Sequence, residues 1–326
     1  MYQDRPVDVV KECYSRWGGI PRYVLRHATS KARQKELDAT IAVSSFDAIL
    51  RASVESSSAE CDAVHLLLHF RVHPERFSHE GFDFASKYVA EKVFRLLYAR
   101  HWVELMGFLA IPNQVGGRAV YRGALFERYA HAVLSQGGEF QGRRLVRGQK
   151  KGAEGGEHAS KAEGVVGESE GAINNEEICV SLPARETVFF KRDEDVTDVD
   201  PSTYLQPASS NAILVDAMAK PNDMFQPTCE RVHPCKQAGL VEALNLLGNP
   251  AAPRLYFVVP PDVYDDFTYQ NCHGSGRKKV KHEDDTLDEV EQYVIKVNYA
   301  HEIRAAKKGD ESRVRFVPRR KAMKVV

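Results

Sequence analysis

The sequence predicts a mixed α/β protein, with a helical N-terminal part followed by a domain built on buried strands. Three observations lead there. Residues 211–247, NAILVDAMAKPNDMFQPTCERVHPCKQAGLVEALNLL, alternate short apolar runs with a Pro-Asn breaker and then take up a helical repeat. Residues 84–109 carry apolar side chains at three- and four-residue spacing. Residues 148–177 are rich in Gly, Glu and Lys and nearly devoid of large apolar side chains, the composition of a disordered insertion.

Taken in order, Val7–Leu25 has a helical front half, a Gly18-Gly19-Ile20-Pro21 break and a short apolar restart. Residues 32–70 read as helix with polar interruptions, and the apolar run Val64–Phe70 fits a strand. His65, His69, His73 and His79 include i, i+4 pairs, a spacing that holds Zn²⁺ on a helix, but they complete no ligand set. Phe84–Leu109 reads as one amphipathic helix, with Phe84, Tyr88, Val89, Val93, Leu96, Leu97 and Val103 on its apolar face. A further helix carries Gly123–His131, where Glu127 stands one turn before His131. Glu186–Phe190 is a strand, and the acidic run Asp193–Asp200 lacks the Gly and Glu of a calcium loop and reads as solvated.

The focal stretch follows. Ile213-Leu214-Val215 is a short buried strand that delivers Asp216 at its tip. Pro221-Asn222 forces a turn, and Met224–Thr228 forms the next strand. Gln237–Leu247 is a helix that stops at Gly248, and Leu255–Val259 is a third strand cut off by Pro260-Pro261. Gln292–Val297 is the last strand. This order sets Asp216 and Gln226 on adjacent strands, close enough to share a divalent cation or a phosphate. His233, just ahead of the helix, is a candidate cationic or proton-transferring group, with Lys220 and Lys236 as rivals. Cys229, His233, Cys235, Cys272 and His273 offer thiolate and imidazole ligands for Zn²⁺, but their spacing matches no compact zinc knuckle.

The formal net charge of +0 excludes a chain coated with basic residues, so nucleic-acid contact falls to local patches. These are Arg143–Lys151, Arg277–Lys281 and Arg319–Lys324, each of which also reads as solvated surface. Six scattered cysteines favour a reducing compartment over a disulfide framework. The chain shows no export sequence of its own, and no apolar run approaches the roughly 18 residues that span a bilayer, so no membrane partner is expected.

Trp17-Gly18-Gly19-Ile20-Pro21-Arg22-Tyr23-Val24-Leu25 resembles the GGxP element in the helical lid of signal-transduction-type P-loop ATPases. It is especially similar to the form found in Crinkler effectors of oomycetes and fungi and in the retrotransposon hot spot proteins of trypanosomes. No G-x-x-x-x-G-K-[ST] phosphate loop occurs, so ATP hydrolysis is not expected. The Asp216–Gln226 arrangement is similar to the core of restriction-endonuclease-like nucleases, and the G-x-x-F-E-x-x-x-H helix around Glu127 is similar to their first core helix.

The resemblance implies a lid remnant (1–75), a connecting helix (76–118), a restriction-endonuclease-like αβββαβ domain (119–300, with 148–177 inserted) and a basic tail (301–326). It implies Mg²⁺ on Asp216 and Gln226, with Glu127 assisting. Thr228 stands where these enzymes place a Lys and supplies no positive charge. Two functions follow as expectations. One is metal-dependent cleavage of DNA by an effector secreted into a host cell and its nucleus. The other is a catalytically degenerate effector that binds nucleic acid or a host protein.

Overall fold

The computed structural model describes residues 5–52, 64–72, 76, 79–112, 114–147, 176–190, 194–197, 199–208, 215–273, 287 and 289–299. Most of the 148–177 insertion, Ile213, Leu214, the patches Arg277–Lys281 and Arg319–Lys324, and the 301–326 tail lie outside these. The chain divides into two compact units, one running through Val133 and resuming at Asn298, the other Leu134–Val297.

The first unit holds helices α1 (Val7–Trp17), α2 (Lys31–Val43), α3 (Phe46–Ala52), α4 (Lys87–Arg100), α5 (Trp102–Leu109) and most of α6 (Gly117–Gln136), with a hairpin of β1 (Leu68–Val72) and β2 (His79–Phe84). The predicted helix over Phe84–Leu109 is three elements. Phe84 ends β2, Ser86 caps α4 by accepting from the Val89 N–H (3.1 Å), and the chain breaks again at His101 before α5. Ser, not the apolar spacing, sets that start, because its hydroxyl satisfies an amide the first turn leaves open. Val64–Leu66 is a 3₁₀ turn before β1, so His65 and His69 share no α-helix and the helical zinc pairing does not form.

The Gly-Gly-Ile-Pro break has a clear structural basis. Trp17 is fully buried and its ring stacks on Tyr23 at 3.8 Å, while its Nε1 donates to Gln34 Oε1 at 2.6 Å. The Gln34 amide in turn donates to the Tyr23 and His27 carbonyls (2.9 and 3.1 Å), satisfying the π-helical turn Arg22–Arg26. Gly18 has φ +61°, and a Cβ there would stand 1.9 Å from the Ala85 carbonyl oxygen. Gly18→Ala therefore meets main chain that cannot step aside. It is expected to cost at least about 2 kcal/mol by urea unfolding.

The second unit is an eight-stranded mixed sheet. Its strands are β3 (Gly138–Leu145), β4 (Glu177–Leu182), β5 (Glu186–Phe190), β6 (Thr203–Pro207), β7 (Ala217–Ala219), β8 (Asp223–Pro227), β10 (Arg254–Val259) and β12 (Glu291–Lys296), in the order β4-β3-β12-β10-β8-β7-β6-β5. β6, β7 and β8 form an antiparallel meander; α8 (Gln237–Leu247) then carries the chain over to β10, which lies parallel to β8, and β12 lies parallel to β10. Short elements complete it: α7 (Glu194–Thr197), α9 (Pro261–Tyr264) and the two-stranded parallel ladder of β9 (Cys235–Lys236) with β11 (Cys272–His273).

One sheet face packs Met218, Met224, Leu255, Phe257 and Val294 together with Leu240, Ala243, Leu244 and Leu247 of α8. On the other, Tyr204, Phe225, Tyr256 and Tyr293 form a row of rings 5.4–5.5 Å apart. β7 lies between β6 and β8, and its Ala217 and Ala219, buried on this face, leave the space through which Tyr204 reaches Phe225. The acidic run read as a solvated loop contains α7, whose Val196 is buried in the core. Among the described residues no helix is long and apolar enough to cross a membrane.

Candidate functional site

Asp216 stands at the entrance to β7, which begins with Ala217; Val215 before it belongs to no strand, and the rest of the predicted Ile213-Leu214-Val215 strand lies outside the described residues. The antiparallel register Ala217↔Phe225 sets Asp216 opposite Gln226, one step further along. There the Gln226 amide Nε2 donates to Asp216 Oδ2 at 2.7 Å. Both side chains are half-buried. The predicted pairing of the two is present. It lies toward the carboxyl ends of the parallel strands β8, β10 and β12, the edge at which open α/β sheets present ligands.

The pair is one carboxylate and one amide. In the arrangement present the amide offers its donor to Asp216. A half-turn of the Gln226 amide turns Oε1 toward the same space and converts the pair into two oxygen ligands. Two protein oxygens suit Mg²⁺, which keeps most of its water and takes the rest of its shell from substrate phosphates. They do not suit Zn²⁺, which prefers nitrogen and sulfur. Among the described residues no group of three or more His, Cys, Asp or Glu is placed to hold a metal ion.

The other predicted residues fall elsewhere. Thr228 is buried; its N–H donates to the Val258 carbonyl (2.9 Å), and its hydroxyl accepts from the Glu230 N–H (3.0 Å). His233 is fixed through its main chain, its N–H donating to Gln270 Oε1 at 2.7 Å. Gln270 also donates to the Arg231 and Thr268 carbonyls and exchanges two hydrogen bonds with Gln292 of β12. Lys220 follows β7 at its far end, four residue steps or about 13 Å of chain from Asp216. Lys236 is exposed on β9.

A residue the sequence reading missed is Lys296, the last of β12. Register places it beside Val259 on the face that carries Gln226, toward the same edge of the sheet, two strand spacings across and two residues further along, about 12 Å in all. Its Nζ lies 4.6 Å from the centre of the Tyr264 ring. The signal was a lone cation inside QYVIKV, which alternation alone assigned to no partner.

Glu127 belongs to the first unit. Its Oε1 accepts from Arg128 Nη1 at 2.6 Å. Burial pushes the Glu127 carboxyl up, but Arg128, with His131 and Lys87, outweighs it and holds the group below the ordinary carboxylate value. His131 is buried, and desolvation takes its imidazole down to about 3, against the upward pull of Glu127. The folded state thus refuses a proton that the unfolded chain accepts below its ordinary pKa near 6.5. Stability is full above that value and drains as pH falls toward 3. The first unit is expected to lose about 3 kcal/mol between pH 7 and pH 4.5. Melting curves across that range check it, and His131→Phe should flatten the slope.

No protein-family model, no curated protein and no solved structure matches the chain, so the functional reading rests on this geometry.

Proposed function

We propose that the second unit is a restriction-endonuclease-like domain that cleaves DNA with a divalent cation, in an effector of the Crinkler and retrotransposon-hot-spot type acting in a host cell and its nucleus. The observation that carries the reading is the Asp216–Gln226 pair at the carboxyl edge of the sheet, 2.7 Å apart, with Asp216 at the entrance to β7 and Gln226 on β8. The path β6-β7-β8-α8-β10, an antiparallel meander followed by a helix and a parallel strand, supports it as the βββαβ portion of such a fold. The pinned Gly18 turn supports the lid resemblance, since the Trp17–Leu25 element has a specific shape rather than that of an arbitrary linker.

Asp216 and Gln226 would hold Mg²⁺, which when bound polarises a phosphate oxygen and lowers the pKa of an attacking water. Asp216 anchors the site with its charge, and Gln226 orients that carboxylate. Lys296 contributes positive charge at the edge where Thr228 has none.

A second reading, a domain that binds nucleic acid or a host protein without chemistry, is favoured by the Thr228 hydroxyl, which is occupied by the Glu230 N–H. Incubating the purified chain with linear DNA in Mg²⁺, Mn²⁺ or EDTA separates the two. Cleavage in metal that stops in EDTA is the expected result. Retained DNA binding with no cleavage in either metal establishes the second reading.

A further inference from the structure

We propose that Cys235 and Cys272 are a reversible dithiol–disulfide couple that staples the loop between β8 and α8 to the segment after α9. The two residues are direct partners in the parallel β9/β11 ladder. Strands in a ladder stand about 4.8 Å apart, within the Cα separation of about 4.4–6.8 Å that a disulfide accepts. The bond therefore forms without moving the main chain. Neither cysteine is in a disulfide, and the two thiols are hydrogen-bonded to one another.

The surroundings hold the pair in place before any bond exists. Gln270 ties the 228–236 loop to the post-α9 segment through the His233 N–H and the Arg231 carbonyl, and Gln292 anchors Gln270 to the sheet. The two sulfurs differ in access: Cys235 is buried and Cys272 is half-buried. The hydrogen bond to Cys272, with burial, pushes the Cys235 thiol well above its usual range, so Cys235 is the poorer first nucleophile.

The oxidant is a small-molecule disulfide such as oxidised glutathione. Cys272 gives up its proton and its thiolate attacks one glutathione sulfur, forming a mixed disulfide and expelling one glutathione thiolate, which takes up that proton. Cys235 then gives up its proton and attacks the Cys272 sulfur. The Cys235–Cys272 bond forms, the bond to glutathione breaks, and the second glutathione leaves as a thiol. Two protein thiols are oxidised, one glutathione disulfide is reduced to two thiols, and both protons are accounted for. None of this depends on the nuclease reading.

The test exposes the reduced full chain to excess oxidised glutathione, blocks remaining thiols with N-ethylmaleimide and maps peptides without reduction. The expected result is a Cys235–Cys272 linked peptide that dithiothreitol removes, with a melting temperature at least about 4 °C above that of the reduced chain. Cys272→Ser should abolish both, and Cys235→Ala should leave glutathione trapped on Cys272. Glutathione persisting on Cys272 in the parent, a link from Cys272 to Cys229 instead, or alkylation of both cysteines after oxidation would overturn the proposal.

Discussion

Asp216→Asn is expected to lower metal-dependent DNA cleavage by at least about 10³-fold, the equivalent of about 4 kcal/mol of transition-state stabilisation. The fold should be unchanged by circular dichroism, since Asn still accepts the hydrogen bond from Gln226 Nε2. The size follows from charge: Asp216 is the one carboxylate of the pair, and a neutral amide binds a hard cation far more weakly. Gln226→Ala should cost less, about 10-fold, because it removes an orienting partner and a neutral ligand. Lys296→Ala should lower cleavage at all metal concentrations without altering the metal dependence, as a group that supplies charge rather than ligation. Equal activity of Asp216→Asn and the parent would sink the assignment of the site.

The largest stability effect is expected at Asp223, at the opposite end of the same hairpin. This carboxylate is buried. Its Oδ1 accepts from Arg254 Nε at 2.9 Å and lies 2.8 Å from Arg254 Nη2, while Oδ2 lies 3.6 Å from Arg185 Nη2. Burial raises its pKa above the ordinary value, outweighing the lowering by Arg254 and Arg185. Asp223 therefore contributes as the anion that two guanidinium groups require, not as a favourably solvated charge. Arg185 is the vulnerable partner: its side chain is 7% exposed, and its Nε and Nη1 already have no hydrogen-bond acceptor among the described residues. Asp223→Ala strands that buried cation and should cost about 3–5 kcal/mol, a fall of roughly 10 °C in melting temperature for a unit of this size. Asp223→Asn, which keeps an acceptor for Arg254, should cost less. A fall below about 3 °C for the Ala variant would show that Arg185 finds solvent on its own.

The elements legible in the sequence were those whose signals are local. Gln237–Leu247 declared itself through apolar residues three and four apart and through Gly248, which takes φ 84° as the left-handed cap. The strands around Phe225 and Phe257 showed as short apolar runs between Pro and Asn breakers, and the Asp216–Gln226 pairing followed from hairpin geometry.

What escaped depends on distant partners. β3, GEFQGRRL, reads as polar, yet its Arg143 is buried because Nη2 donates to the Tyr264, Asp265 and Phe267 carbonyls more than a hundred residues on. Ala217–Ala219 is too short and too weak in β propensity to announce a strand; its small side chains matter only because Tyr204 and Phe225 meet over them. Cys235 and Cys272 were read as scattered zinc ligands, and only the β9/β11 register sets them side by side.

The central claim is that Asp216 and Gln226 hold a divalent cation. Electron paramagnetic resonance of Mn²⁺ reads it most directly, titrated into the parent chain and into Asp216→Asn, each with a phosphorothioate duplex that resists cleavage. The expected result is a bound Mn²⁺ signal in the parent that weakens by at least about 10-fold in affinity in the Asp216 variant. Equal Mn²⁺ binding by the two, or none by the parent with DNA present, would contradict it.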